Sequence, residues 1–370
     1  MRVLVPLAAA LVAAVSVTPR ILLAGGVLPG ALRPFVWSDA LFTYERGLSG
    51  HRLPYLDTPF EYPPVVALVS GAFSALTDRP VVYVALWSVV LVVAAAATAA
   101  VLEREAGPRR TLAFFALTPQ LVLLGGINFD LVATALFAAA AVAARGRHET
   151  AGIVGLALGT ATKLFPAAAA PLAILRGRRR ALLAAVFVVV LAILYAPTTL
   201  VAAGTSSPSS SLGYYLAGIS PNLDSPWGLL ARSLALAGLG AANGVVLGVT
   251  LVGLAVTYVV AVLPRARSAD PVACYGLAVL TLMLWSRLYS PQYSLWVLPL
   301  FVLLPLGGRL FALLSVADVM VFASIYPLTL VPWGPHDTAV VALLGLLVAG
   351  VLVRHIALIA CWRQVSALAR

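Results

Sequence analysis

The chain has 370 residues, of which 62% are hydrophobic and 10% charged, and a mean hydropathy of +1.03. An ordinary soluble domain carries about 25% charged residues, so this composition excludes one and calls for a protein built for a bilayer. The net charge of +11 does not signal nucleic-acid binding, because the arginines sit in short loops between apolar runs and form no continuous basic face.

In chain order the apolar runs fall at 3–28, 80–102, 111–127, 129–144, 150–163, 165–175, 181–203, 244–263, 271–287, 291–306, 309–326 and 338–354. They predict an all-α polytopic membrane protein with about 12 transmembrane helices, forming one domain over 1–370. Met1-Arg2 and the apolar run to Val17 could pass for a signal peptide. Thr18-Pro19-Arg20 and more apolar sequence follow in place of a cleavage site, so the run reads as a retained first helix. Several runs are shorter than the ~20 residues of a perpendicular span. The pair 150–163 and 165–175 reads as two short helices meeting partway through the membrane at Lys163-Leu164-Phe165-Pro166. One long helix kinked at Pro166 is the alternative. Cys274 and Cys361 give neither a disulfide framework nor metal-ligand spacing.

Basic residues set the orientation. Arg104, Arg109, Arg110, Arg145, Arg147, Arg176, Arg178, Arg179, Arg180, Arg265, Arg267, Arg309, Arg354 and Arg363 are expected on the cytoplasmic side, with both termini. Two larger loops, 29–79 and 204–243, then lie outside, on the external or periplasmic face of the plasma membrane. Each is expected to carry an interfacial helix, at 63–77 (started by Pro63-Pro64) and at 227–240.

The first of these loops concentrates polar chemistry. It holds Asp39, Glu45, Asp57 and Glu61 with several tyrosines, and carboxylates beside a bilayer mark a functional site by default. Asp39 opens a predicted external helix 39–49, where the positive end of the dipole favours its ionised form; it reads either as a general base or, with Ser38, as a helix cap. Asp57, Glu61 and Tyr62 flank a Pro- and aromatic-rich turn and suit sugar hydroxyls or plain loop hydrogen bonds. Asn128-Phe129-Asp130 lies between two passes near the same plane, with Asp130 a ligand contact or a cap. Lys163 is the only lysine in the chain, and amid apolar sequence it needs an anion. A lipid-linked phosphate and an internal partner such as Asp130 both qualify.

Trp285-Ser286-Arg287-Leu288-Tyr289-Ser290-Pro291-Gln292-Tyr293 joins two helices on that face. Arg287 suits a phosphate and Tyr289, Gln292 and Tyr293 suit a sugar, with an aromatic belt and a snorkelling arginine as the plainer reading. His336 is a further phosphate or acceptor contact. Asp318, inside an apolar run, has no explanation in the sequence.

Taken together, Ser38-Asp39, Tyr44, Gly47, Pro54-Tyr55, Asp57 and Phe60-Glu61-Tyr62-Pro63-Pro64 resemble the first external loop of the GT-C membrane glycosyltransferases. The likeness is to glycosyltransferase family 87, the actinobacterial branch that uses polyprenyl-phosphate sugars. Asn128-Phe129-Asp130, Lys163-Leu164-Phe165-Pro166 and Ser290-Pro291-Gln292-Tyr293 agree, so the resemblance spans about 35–300. It implies a GT-C fold and an inverting transfer of a sugar, most simply mannose, from a polyprenyl-phosphate donor to a cell-envelope glycolipid or lipoglycan. Asp39 takes the place of the family's proposed base, with Lys163 and Arg287 as cations for the leaving phosphate. No cofactor is expected; a divalent ion on Asp39, Asp57 or Asp130 is the alternative. An arabinofuranose donor fits the same family. A secondary transporter or lipid flippase is the rival from another class, although its polar residues would line the midplane rather than one face.

Overall fold

The computed structural model describes residues 4–204, 220–334 and 337–370. His336 lies outside the described residues, as does much of the loop expected over 204–243. Helices make up the fold, and no strand occurs among the described residues.

α1 (Leu4–Ala24) leads into the first loop, which carries α2 (Asp39–Thr43), continued by a π turn to Leu48, and α3 (Pro64–Leu76). α4 (Pro80–Ala106) then packs along α1. Short helical turns over Pro108–Leu124 lead to α5 (Asp130–Arg145) and α6 (Glu149–Thr160), which pack together. A 3-10 turn, Phe165–Ala169, precedes α7 (Ala170–Arg176), and α8 (Arg180–Gly204) follows. Beyond come α9 (Pro226–Leu236), α10 (Ala242–Thr257), α11 (Pro271–Trp285), the turn Pro291–Trp296 with the short helix Leu298–Leu303, α12 (Gly308–Leu330) and α13 (Thr338–Leu368). Proline opens α3, α4, α9 and α11 at a position where its missing N–H costs no hydrogen bond. Ser225, Asp270 and Asp337 cap the helices that follow them.

Six helices among the described residues are long and apolar enough to cross a membrane: α1, α4, α8, α10 with its continuation to Arg267, α12 and α13. The rest of the expected passes fall on helices of 16 residues or fewer. α11 is buried along nearly its whole length and forms the centre of the bundle. Outward-facing Leu7, Val15, Val89, Val93, Val252 and Val260 are exposed, as on helices whose outer faces meet lipid. The protein is an all-α membrane protein.

The two ends of the bundle are chemically distinct. At one, Arg145 pairs with Glu105 at 3.1 Å and Asp270 at 2.6 Å, and Arg176 donates to the Ala266 carbonyl at 3.1 Å. At the other, the first loop meets the turn before α5 and the end of α6: Asp39 N–H donates to the Ile127 carbonyl at 2.8 Å and Val65 N–H to the Ala161 carbonyl at 2.9 Å. α5 runs from one end to the other and, with 16 residues at ~1.5 Å each, separates them by about 24 Å.

α6 and α7 are two short helices rather than one kinked helix. α6 leaves the arginine end, stops at Thr160, and α7 returns to the same end, where Arg178 N–H donates to the Glu149 carboxylate at 3.1 Å. The pair is therefore a helical hairpin with its tip, Lys163, at the Asp39 end of the bundle and not partway along it. Gly159 permits the close turn, since a Cβ there would sit 3.0 Å from the Pro166 ring.

Arg354 departs from its expected place on the cytoplasmic side. It does not mark the cytoplasmic end of the last pass, because α13 continues to Leu368 and buries Arg354 inside the protein. Its Nη1 lies 4.0 Å from Asp318 Oδ1. Asp318 also accepts from Ser294 Oγ at 2.6 Å and Gln120 Nε2 at 3.0 Å, which accounts for a carboxylate amid apolar sequence.

Candidate active site

Asp39 is the first residue of α2, and Ser38 does the capping: its Oγ accepts from Leu41 N–H at 3.2 Å. The Asp39 carboxylate is left for other partners. Trp37 Nε1 donates to Oδ1 at 2.5 Å and Tyr62 OH donates to Oδ2 at 2.8 Å. The loop that brings these donors together rests on an aromatic cluster against α4, in which Trp87 meets Phe129 at 4.3 Å and Tyr62 meets Phe129 edge-on at 5.0 Å. From behind, the buried Arg20 of α1 donates to the carbonyls of Trp37 at 3.1 Å and Leu123 at 3.0 Å. Gly126 lets the turn before α5 touch α1, since a Cβ would lie 3.0 Å from the Ser16 carbonyl. Burial pushes the Asp39 carboxyl above the ordinary range, against the opposing pull of Trp37, Tyr62 and Lys163.

Lys163 faces the same space. Its Nζ lies 3.4 Å from Asp130 Oδ2, with the Tyr62 ring at 5.4 Å and the Tyr293 ring at 5.5 Å. Asp130, fully buried at the start of α5, does not cap its helix; Oδ1 accepts from Trp296 Nε1 at 2.7 Å. Trp296 in turn stacks on Phe165 at 4.2 Å and on Tyr293 at 3.9 Å. The turn Pro291–Trp296 thereby locks the ion pair: Lys163 has the internal partner expected in Asp130 and also lines a cleft.

That cleft, about 160 Å³, is lined by Asp39, Glu61, Tyr62, Asn128, Lys163, Gln292 and Tyr293, among others. A larger one, about 570 Å³, continues from it and shares Asp39, Asn222, Ser290 and Gln292; its remaining wall includes Trp37, Asp224, Tyr326 and Thr329. A carboxylate with one lone pair left on each oxygen, an ammonium and hydroxyl-binding amides on one surface suit the deprotonation of a hydroxyl beside a leaving anion.

Residues 60–291, more than half of the chain, match the model of glycosyltransferase family 87. The chain belongs to glycosyltransferase family 87. No curated protein and no solved structure matches it. The family 87 match contains Glu61, Tyr62, Asn128, Asp130, Lys163, Arg287 and Tyr289, whereas Asp39, Gln292 and Tyr293 lie outside it.

Not every residue singled out in the family 87 sequence reaches the cleft. Asp57 is exposed and accepts from Leu53 N–H at 2.8 Å, holding its own turn. Glu61 lines the smaller cleft but pairs with Arg46. Asn128 lines it too, its Oδ1 accepting from Phe129 N–H at 2.5 Å. The Arg287 side chain lines neither cleft; its carbonyl accepts from Asn222 N–H at 3.0 Å and so shapes the rim. Tyr289 is buried behind the site, with Arg354 4.0 Å over its ring and its OH 3.1 Å from Ser294. Among the described residues no group of three or more His, Cys, Asp or Glu is placed to hold a metal. Sequence reasoning missed Trp37, Arg20 and Asp224. The WSD triplet was the only local signal for Trp37; Arg20 and Asp224 look ordinary until helices are packed.

Proposed function

We propose that this membrane glycosyltransferase moves mannose from a polyprenyl phosphate to a hydroxyl of a cell-envelope glycolipid or lipoglycan, at the external face of the plasma membrane. Asp39 takes the proton of the acceptor hydroxyl. The acceptor oxygen attacks the anomeric carbon, the bond from that carbon to the phosphate oxygen breaks, and polyprenyl phosphate departs with the electron pair. The sugar is inverted in this single displacement. Phosphate leaves without being protonated, so one base and a nearby cation suffice, and the scheme calls for no metal or cofactor. Lys163 is that cation. Asp130 and the stacked Tyr293 and Trp296 hold its ammonium against the cleft. Asn128 and Glu61 are placed to meet hydroxyls of the transferred sugar.

The observation that carries this reading is the shared cleft: the carboxylate after the first span and the chain's one lysine lie on its walls, at the end of the bundle away from Arg176. The test is sugar transfer by purified protein from labelled polyprenyl-phosphate mannose, with polyprenyl-phosphate arabinose alongside. Loss of the general base costs about 10²–10⁴ in rate, so Asp39→Asn should fall by that factor with its melting temperature kept. An equally active Asp39→Asn removes the base. Transfer from the arabinose donor alone replaces the sugar.

A further inference from the structure

The larger cleft carries a chemistry the proposed scheme has not used. Asp224 and Gln292 both line it, and both side chains are buried, 4% and 6% exposed. Asp224 Oδ1 and Gln292 Oε1 have no hydrogen-bond partner among the described residues. The Gln292 oxygen is an acceptor, and so is Asp224 when ionised, above the pKa of about 7 to which burial raises it; a buried acceptor without a donor is costly unless something supplies one. Among the described residues no Lys or Arg lines this cleft.

Asp224 is fixed in place. Its backbone carbonyl accepts from Arg354 Nη2, and the same Nη2 donates to the Tyr289 carbonyl at 3.3 Å. Ser225 caps α9 and donates to the Asn222 carbonyl at 2.8 Å, while Asn222 N–H reaches back to Arg287. Gly228 allows this turn to close, because a Cβ there would overlap the Asn222 carbonyl. Asp224 is thus held by a folded segment and Gln292 sits on the turn Pro291–Trp296, as a preorganised site requires.

Their character selects a ligand. A sugar headgroup brings hydroxyl donors and no charge. A phosphate brings acceptor oxygens and would meet the Asp224 carboxylate, whose neighbouring cation, Arg354, lies behind it and off the cleft wall. Position agrees. In a single displacement the incoming oxygen and the leaving oxygen lie on opposite sides of the anomeric carbon. Asp39 sits where the two clefts join, with Lys163 on one side and Asp224 on the other.

We propose that Asp224 and Gln292 bind hydroxyl groups of the acceptor's sugar headgroup, making the larger cleft the acceptor site and a polyol its ligand. Its assignment to the acceptor side rests on the reading of Asp39 as base.

The test uses protein in lipid nanodiscs carrying Asp39→Asn, so that binding is read without turnover, and octyl α-mannoside with its monodeoxy analogues as probes. A hydrogen bond to a charged group corresponds to about a 10- to 100-fold change in affinity. Titration calorimetry, corrected with empty nanodiscs, should show Asp224→Ala weakening the mannoside by that factor, and Gln292→Leu weakening it less. One monodeoxy analogue should lose the same factor on the parent and nothing further on Asp224→Ala. Asp224→Asn keeps an acceptor oxygen and should retain part of the affinity, and polyprenyl phosphate should bind all variants alike.

Mannoside binding unchanged in Asp224→Ala overturns the proposal, as does no binding to the parent, or octyl phosphate binding the cleft as tightly as the mannoside. Equal loss of mannoside and polyprenyl phosphate with a lowered melting temperature also overturns it, because the network would then be only structural. Should Asp39→Asn prove fully active in the transfer assay, the base reading fails while these affinities still decide whether the cleft binds a polyol.

Discussion

Asp39 is placed by neighbours distant in sequence. Ser38 takes the capping role, and the Tyr62 hydroxyl that holds the second carboxylate oxygen comes from 23 residues on. Burial raises the pKa of this carboxyl, and the donors Trp37 and Tyr62 stabilise its charged form and hold it down. A general base works only when ionised, so kcat/KM should rise with pH through the Asp39 pKa, with a midpoint above the ~3.9 of an unperturbed aspartate. Tyr62→Phe removes one stabilising donor and should move that acid limb to still higher pH. A pH profile of kcat/KM for the two proteins measures this; a limb that stays put or moves down contradicts the proposed role. Asp39 itself was legible from a carboxylate following the first apolar run. Tyr62 was legible as a candidate, and the smaller cleft does include it, but not as the group that holds Asp39, because no local periodicity connects a helix start with a proline-rich turn.

The helical hairpin α6–α7 carries the lysine, and its stability depends on the start of α5. Lys163 and Asp130 are 5% and 0% exposed in their side chains, and breaking one partner of such a buried pair costs about 3–5 kcal/mol because the other charge is left alone. Asp130→Asn should therefore lower the melting temperature, and so should Lys163→Met. The double variant should recover much of the loss, and thermal unfolding of all three in the same detergent checks it. Additive losses would mean that the two side chains act independently.

The break between these helices was readable in Lys163-Leu164-Phe165-Pro166, where a lysine and a proline interrupt an apolar stretch. The ion pair of Asp318 with Arg354 was not. It joins α12 to α13, and the apolar run over 338–354 ends at Arg354, which made an interior arginine look like the end of a span. Arg354 interrupts the apolar pattern, and α13 continues past it with one face of its later turns packed on α11: Trp362 Nε1 donates to Thr281 Oγ1 at 2.8 Å.

At the scale of the whole molecule, the bundle separates charge by end. Arg145, Arg147, Arg176, Arg178 and Arg267 gather where α5 finishes and α6 starts, while Asp39, Glu61 and Asp130 lie at the far end with Lys163. Arginine in short loops stays on the cytoplasmic side during insertion, which is why we place the Asp39 cleft outside, where a lipid-borne donor would be needed because nucleotide sugars are confined to the cytoplasm. Cysteine labelling can decide this without any activity assay. Cys274 and Cys361 are both buried, so a membrane-impermeant maleimide should find little to react with in the native protein. Arg52, exposed in the first loop, and Arg178, exposed after α7, lie at opposite ends. Arg52→Cys should be labelled in intact cells, and Arg178→Cys only after the membrane is opened. The reverse pattern would put Asp39 and Lys163 in the cytoplasm, where soluble activated sugars are at hand, and the requirement for a polyprenyl-phosphate donor would lose its physical basis.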